Sequence, residues 1–195
     1  MRLSERLSEK FFEENLISDE EKEIIQFGLE SLEGNLAGVI LTILVGIIFG
    51  AIREAMLFYV WFLPLRKSIG GFHADTKIKC LLASAMALAM ACTLFTMFRY
   101  QGIIYLICGG IFVVFIFLVA PVDNPQKKFD ALEQSVYRKR SRIVLLGEGT
   151  LFAVSYYNSW DVITVSLCMT FFVAGISLLL GILKNTRHSH RDSKS

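Results

Sequence analysis

Gly102-Ile-Ile-Tyr-Leu-Ile-Cys-Gly-Gly-Ile-Phe-Val-Val-Phe-Ile-Phe-Leu-Val-Ala120 runs for 19 residues without one charged side chain. About 20 apolar residues in a helix cross the ~30 Å hydrocarbon core of a bilayer. A helix also satisfies its own backbone N–H and C=O groups, which that core cannot do. The stretch therefore reads as a membrane span, and its neighbours follow from it. Pro121-Val-Asp-Asn-Pro125 stops it, and the short turn Arg99-Tyr-Gln-Gly joins it to a second apolar run, Leu81–Phe98.

Further upstream, Asn35–Ile52 is another strong candidate, interrupted by Arg53-Glu54. Ala55–Leu65 is then apolar for only 11 residues and ends at Pro64-Leu65. That is short of the ~17–25 residues of an ordinary span. Either flanking residues extend it, or it is a thin or re-entrant helix, tolerable at depth only beside protein or a wet cavity. Downstream, Ile143–Tyr157 and Val162–Leu183 lie either side of the turn Asn158-Ser-Trp-Asp161. The expectation is an all-α polytopic integral membrane protein with about six membrane helices, one of them short or re-entrant.

Composition agrees. Of 195 residues, 54% are hydrophobic, and the mean hydropathy is +0.53. Soluble domains hold about 45–50% apolar residues with glycine included. A formal charge of +2 gives no ground to expect a nucleic-acid partner. The Met1–Lys10 stretch has interspersed acids and no early apolar core, so it does not read as a signal peptide. Cys92, Cys108 and Cys168 fall inside apolar runs with no paired spacing and read as packing residues.

Residues 1–34 read as amphipathic interfacial helices. Leu3, Leu7 and Phe11 recur at four-residue spacing among charges. Ser18-Asp-Glu-Glu21 fits a capping box that opens a second helix carrying Ile24, Ile25, Gly28, Leu29 and Leu32. Such faces rest on lipid or pack on the bundle. The membrane domain is assigned to 35–183. It holds a polar stretch at 66–80 and a basic loop at 121–142, and a polar tail, expected to be disordered, follows at 184–195.

Lysine and arginine set the orientation. The N-terminal region, the 66–80 stretch, the 121–142 stretch and the tail hold 18 of the 20, leaving only Arg53 and Arg99 for the alternate turns. By the positive-inside rule, both termini and residues 66–80 face the cytoplasm of a cell (plasma) membrane protein. A free thiol can persist in that reducing compartment.

Arg66-Lys-Ser-Ile-Gly-Gly-Phe-His-Ala-Asp-Thr-Lys-Ile-Lys-Cys80 is the chemically telling stretch. It holds His73, the one histidine outside the last eight residues, and Cys80 seven positions later. An imidazole that takes a thiol's proton makes the thiolate nucleophile. On one continuous helix the pair would sit roughly 10 Å apart, beyond the ~3 Å reach of a base, so the segment must fold back. Gly70-Gly71 permits a bend. Asp75 or Thr76 can cap a following helix, in whose first turn Cys80 would have its pKa lowered from about 8.5, helped by Lys77 and Lys79. From spacing alone, His73 is equally a loop histidine and Cys80 a buried small apolar residue. One His and one Cys fall short of a zinc site.

Arg66, Gly70-Gly71-Phe72-His73-Ala74 and Cys80, set between membrane segments, resemble the signature of the accessory gene regulator B (AgrB) family of membrane cysteine endopeptidases. The likeness extends to chain length, an acidic amphipathic N-terminus and a basic stretch after a mid-chain apolar run. It implies Cys80 as nucleophile, His73 as base and then acid, and a substrate of the AgrD kind. The precursor's C-terminal tail would be removed through a thioester on Cys80 and the remainder closed to a thiolactone or lactone. It also implies a homodimer, and no cofactor or metal.

Several roles stay open. Backbone N–H groups around Gly70 and Gly71 or near Cys80, or the Arg66 side chain, could stabilise the oxyanion; Arg66 equally suits a lipid phosphate. Asp75 or, by resemblance, Glu30 could orient His73. Glu148, between two glycines in an apolar run, needs a partner, for which the 138–142 cations are candidates. The 127–142 cluster is a positive-inside anchor or, by resemblance, the seat of the precursor's acidic tail, with Lys127 and Lys128 foremost. The alternative from another class is a small transporter or exporter of a peptide or ion, which should tolerate loss of Cys80. Against it, the chain has no convincing internal repeat or paired broken helices.

Overall fold

The computed structural model describes residues 3–14, 17–70, 77–97, 102–122 and 130–192. These residues form seven helices and no strand, in the order α1 (Leu3–Glu13), α2 (Asp19–Ile48), α3 (Ile52–Ile69), α4 (Lys77–Met97), α5 (Gly102–Val119), α6 (Ala131–Tyr157) and α7 (Asp161–Asp192). The chain divides into two compact units, Met1–Leu41 and Thr42–Ser195.

In the first unit, Ser18 and Glu21 form the anticipated capping box. The Ser18 backbone N–H donates to Glu21 Oε2 at 2.9 Å, and the Glu21 N–H donates to Ser18 Oγ at 3.4 Å. The fully buried residues of α1 are Ser4 and Ser8, one turn apart, while Leu7 and Phe11 are half-buried. The Ser4 N–H donates to Glu33 Oε1 at 2.7 Å, and the Lys22 ammonium lies 5.0 Å from the centre of the Phe12 ring. These contacts tie α1 to α2 in an antiparallel sense.

The second unit is organised around α7, which packs on α3, α4, α5 and α6. Leu167, Phe171, Ala174 and Leu178, on successive turns, are fully buried. Three helices among the described residues are long and apolar enough to cross a membrane: α2, α5 and α7. Of these apolar windows, 67% of α7 is buried, against 17% for α2 and α5. The last two thus offer their aliphatic side chains, Ile111, Val114 and Leu118 on α5 among them, to surrounding lipid. Leu82–Leu94 of α4 is a shorter apolar helix.

Some polar atoms inside this bundle are bonded between helices, which satisfies them in a medium without water. Thr164 Oγ1 donates to Ser155 Oγ at 2.9 Å, joining α7 to α6. The Cys168 thiol donates to the Tyr105 carbonyl at 3.4 Å, joining α7 to α5. Cys92, Cys108 and Cys168 are free thiols, the first and last of them buried, as their packing role requires.

Several boundaries differ from expectation. α2 continues from the amphipathic region into the apolar run with no break at residue 34. The short run at 55–65 is extended by its flanks into one 18-residue helix with Pro64 inside it. At about 1.5 Å per residue this is roughly 27 Å long. The stretch read as a basic loop is helix from Ala131 onward, and the tail read as disordered is helix through Asp192.

Candidate functional site

The predicted site begins at the C-terminal end of α3. Leu65, Ser68 and Ile69 are fully buried, and Ser68 Oγ donates to the Pro64 carbonyl at 2.7 Å. Arg66 and Lys67, in the last turn, sit where cations complement the helix dipole. Gly70 ends the helix with φ 69° and ψ −138°, a left-handed φ that L side chains rarely adopt. The Arg66 guanidinium donates to the Gly70 carbonyl, so this side chain holds the exit of its own helix.

Opposite Gly70 runs the segment after α5. The Val122 N–H donates to the Ile69 carbonyl at 3.1 Å, and Gly70 and Val122 form an isolated parallel bridge. The Ala120–Pro121 peptide bond before it is cis. A Cβ at residue 70 would collide with the Val122 carbonyl oxygen. The glycine is therefore required twice, by its φ and by a backbone at contact distance. Sequence reading missed Val122, since nothing in Pro121-Val-Asp-Asn-Pro125 signals pairing with a residue some fifty positions away; the proline-rich stop of α5 was the available hint.

α4 starts at Lys77, so Cys80 is the fourth residue of that helix and lies in its first turn. Of Cys80 the structure describes the backbone. His73, Gly71, Asp75, Lys127 and Lys128 lie outside the described residues. Arg66 and Gly70 are brought together. Glu30 is half-buried on α2, in the first compact unit.

Glu148 corrects one expectation. It is buried on α6, in a stripe with Ser141, Leu145, Phe152 and Ser155, and its Oε2 has no hydrogen-bond partner among the described residues. Arg138, Lys139, Arg140 and Arg142 are on the exposed side of the same helix. At 3.6 residues per turn, Arg142 is rotated about 240° from Glu148. One helix cannot bring them together.

Helices that are apolar around much of their circumference, a buried central helix and a thiol in a helix's first turn after a polar segment define a helical membrane protein with a candidate thiol site. Residues 4–186 match the family model described as accessory gene regulator B. The chain belongs to that family. It is 27% identical to a protein of Clostridium perfringens (strain SM101 / Type A) bearing an AgrB-like name, over 92% of this chain and 86% of the relative. A second AgrB-like protein, from C. perfringens (strain 13 / Type A), is 26% identical over 94% and 92%. No solved structure matches. Membership implies a membrane setting, a part in processing an agr quorum-sensing peptide, and an AgrD-like substrate.

Proposed function

We propose that the protein is a membrane cysteine endopeptidase that removes the C-terminal tail of an AgrD-like precursor and supports closure of the remainder to a thiolactone or lactone. The Cys80 thiolate adds to the carbonyl carbon of the scissile amide, His73 having taken the thiol proton. The tetrahedral adduct collapses with cleavage of the C–N bond; the departing amine takes the proton back from the imidazolium, and a thioester on Cys80 remains. A thiol or hydroxyl of the precursor then attacks that thioester, giving its proton to His73, and the Cys80 sulfur leaves as thiolate. Backbone N–H groups around Gly70 and Gly71 or at the start of α4, or the Arg66 side chain, are the oxyanion donors. Asp75 or Glu30 orients His73, and Lys127 and Lys128 receive the acidic tail. The active form is a homodimer with about six crossings, in the cell (plasma) membrane, with both termini and residues 66–80 cytoplasmic.

The start of α4 at Lys77 carries this reading. The N–H groups of a helix's first turn lack intrahelical acceptors and favour an anion, which suits a thiolate at Cys80. The held end of α3 supports it, because Arg66, Gly70 and Val122 fix where the intervening segment leaves. Cys80→Ala co-expressed with a tagged precursor should abolish cleavage on an immunoblot while leaving insertion and precursor co-purification intact. Cys92→Ala should leave turnover nearly unchanged. Equal cleavage by Cys80→Ala and the unaltered chain would sink the assignment.

A further inference from the structure

The basic residues of α6 form more than a run of charge. Gln134, Arg138, Arg142 and Leu146 recur at four-residue spacing, with Lys139 and Ile143 beside them, so one face carries all six. Together with Ser135 they line an open groove of about 510 Å³, and among the described residues no acidic side chain lines it. The groove changes character along its length. Three cations lie over one turn, followed by Ile143 and Leu146, which are 61% and 62% exposed.

That change falls at the edge of the apolar layer, as α5 shows independently. The Arg142 guanidinium carbon lies 5.0 Å from the centre of the Phe117 ring, near the end of α5. The uncharged run of α5 ends where the mainly apolar part of α6 begins. The cations therefore stand at phosphate depth, and the two aliphatic side chains at acyl depth. Guanidinium groups match phosphate oxygens in a bidentate fork, and stacking on Phe117 holds one of them in place.

We propose that this face of α6 is a binding site for an anionic phospholipid. The phosphodiester sits among Arg138, Lys139 and Arg142, and an acyl chain lies along Ile143 and Leu146. An acidic water-soluble peptide would satisfy the cations but leave the aliphatic half of the groove uncovered; an anionic amphiphile satisfies both. The site uses neither Cys80 nor His73 and is independent of the peptidase reading.

Native mass spectrometry of the purified full-length chain in detergent, with added phosphatidylglycerol or phosphatidylcholine, tests this. Phosphatidylglycerol should be retained in preference to phosphatidylcholine. Paired Arg138→Glu and Arg142→Glu substitutions should lower its retention roughly 30-fold or more, on the usual worth of a cation near an anionic surface. Arg138→Lys with Arg142→Lys should keep the preference, which guards against misfolding of the charge-reversed variant, and Lys10→Glu should leave retention unchanged. Equal retention of the two lipids, or of phosphatidylglycerol by the parent and both paired variants, would overturn the site. So would an acidic peptide bound in an Arg138-dependent manner where phosphatidylglycerol is not; the face would then belong to the precursor.

Discussion

His73→Ala should slow acylation by about 10²–10⁴-fold, the usual contribution of a positioned general base. The defect should shrink as pH rises, because hydroxide then generates the Cys80 thiolate that the imidazole would otherwise supply. Single-turnover cleavage of a precursor across pH checks this, and a rate indifferent to the substitution at every pH would make the stretch merely structural. At this scale the sequence offers candidate chemistry and is poor about partners. His73 and Cys80 are legible as residue types at a telling spacing. For Arg66 the sequence offers an oxyanion or a lipid phosphate as partner and gives no sign that its guanidinium also donates to the Gly70 carbonyl four residues on. From sequence Gly70 permits a bend; in the structure the Val122 carbonyl demands the glycine as well. Such a contact depends on two segments distant in the chain, and no local pattern encodes it.

Elements were legible where hydrophobicity and helix end together, and misread where they do not. α5 ends at Val119 before Pro121, and the turn at 158–160 separates α6 from α7 as the sequence indicates. α6 begins twelve residues before its apolar part, at an Asp130–Glu133 capping box that the surrounding charges concealed. α2 and α7 likewise carry helix past the limits of their apolar runs. Hydropathy marks where a helix leaves the apolar layer; caps and glycines mark where it stops. Packing between elements is testable through Gly109. A Cβ there would stand 2.5 Å from Phe152 Cζ. The Phe152 ring is itself held edge-on against Phe171, 5.7 Å between centres. Gly109→Val should therefore destabilise the folded chain by about 1–3 kcal/mol through overpacking. Combined with Phe152→Ala, it should be less damaging than the two single losses added. Thermal unfolding in detergent measures the cycle, and simple additivity would show that α5 and α6 do not meet through this pair.

For the whole molecule, orientation is the expectation that rests on charge totals and not on contacts. Six of its lysines and arginines lie in residues 121–142, and none in the turn at 158–160. α6 links these regions as one helix of 27 residues. At about 1.5 Å per residue it is roughly 40 Å long, close to the full thickness of a bilayer with its headgroups. A continuous helix of that length, basic at one end and mainly apolar over the rest but for Glu148, should put residues 134 and 159 on opposite sides. The positive-inside rule then assigns the basic end to the cytoplasm. Single cysteines introduced at Gln134 and Ser159, in a Cys80→Ala background, turn this into a measurement with a membrane-impermeant thiol reagent. Ser159→Cys should label in intact cells, and Gln134→Cys only after permeabilisation. Glu13→Cys on α1 should follow Gln134→Cys, since the N-terminal region carries the same excess of cations. Buried Cys92 and Cys168 should stay silent in every sample, and the Cys80→Ala parent, which also keeps half-buried Cys108, measures the background. Labelling of Gln134→Cys and Ser159→Cys from the same side would mean that α6 does not cross. The reverse pattern would put the basic face outside, and with it the stretch from Arg66 to Cys80, in a compartment where a reduced catalytic thiol does not persist.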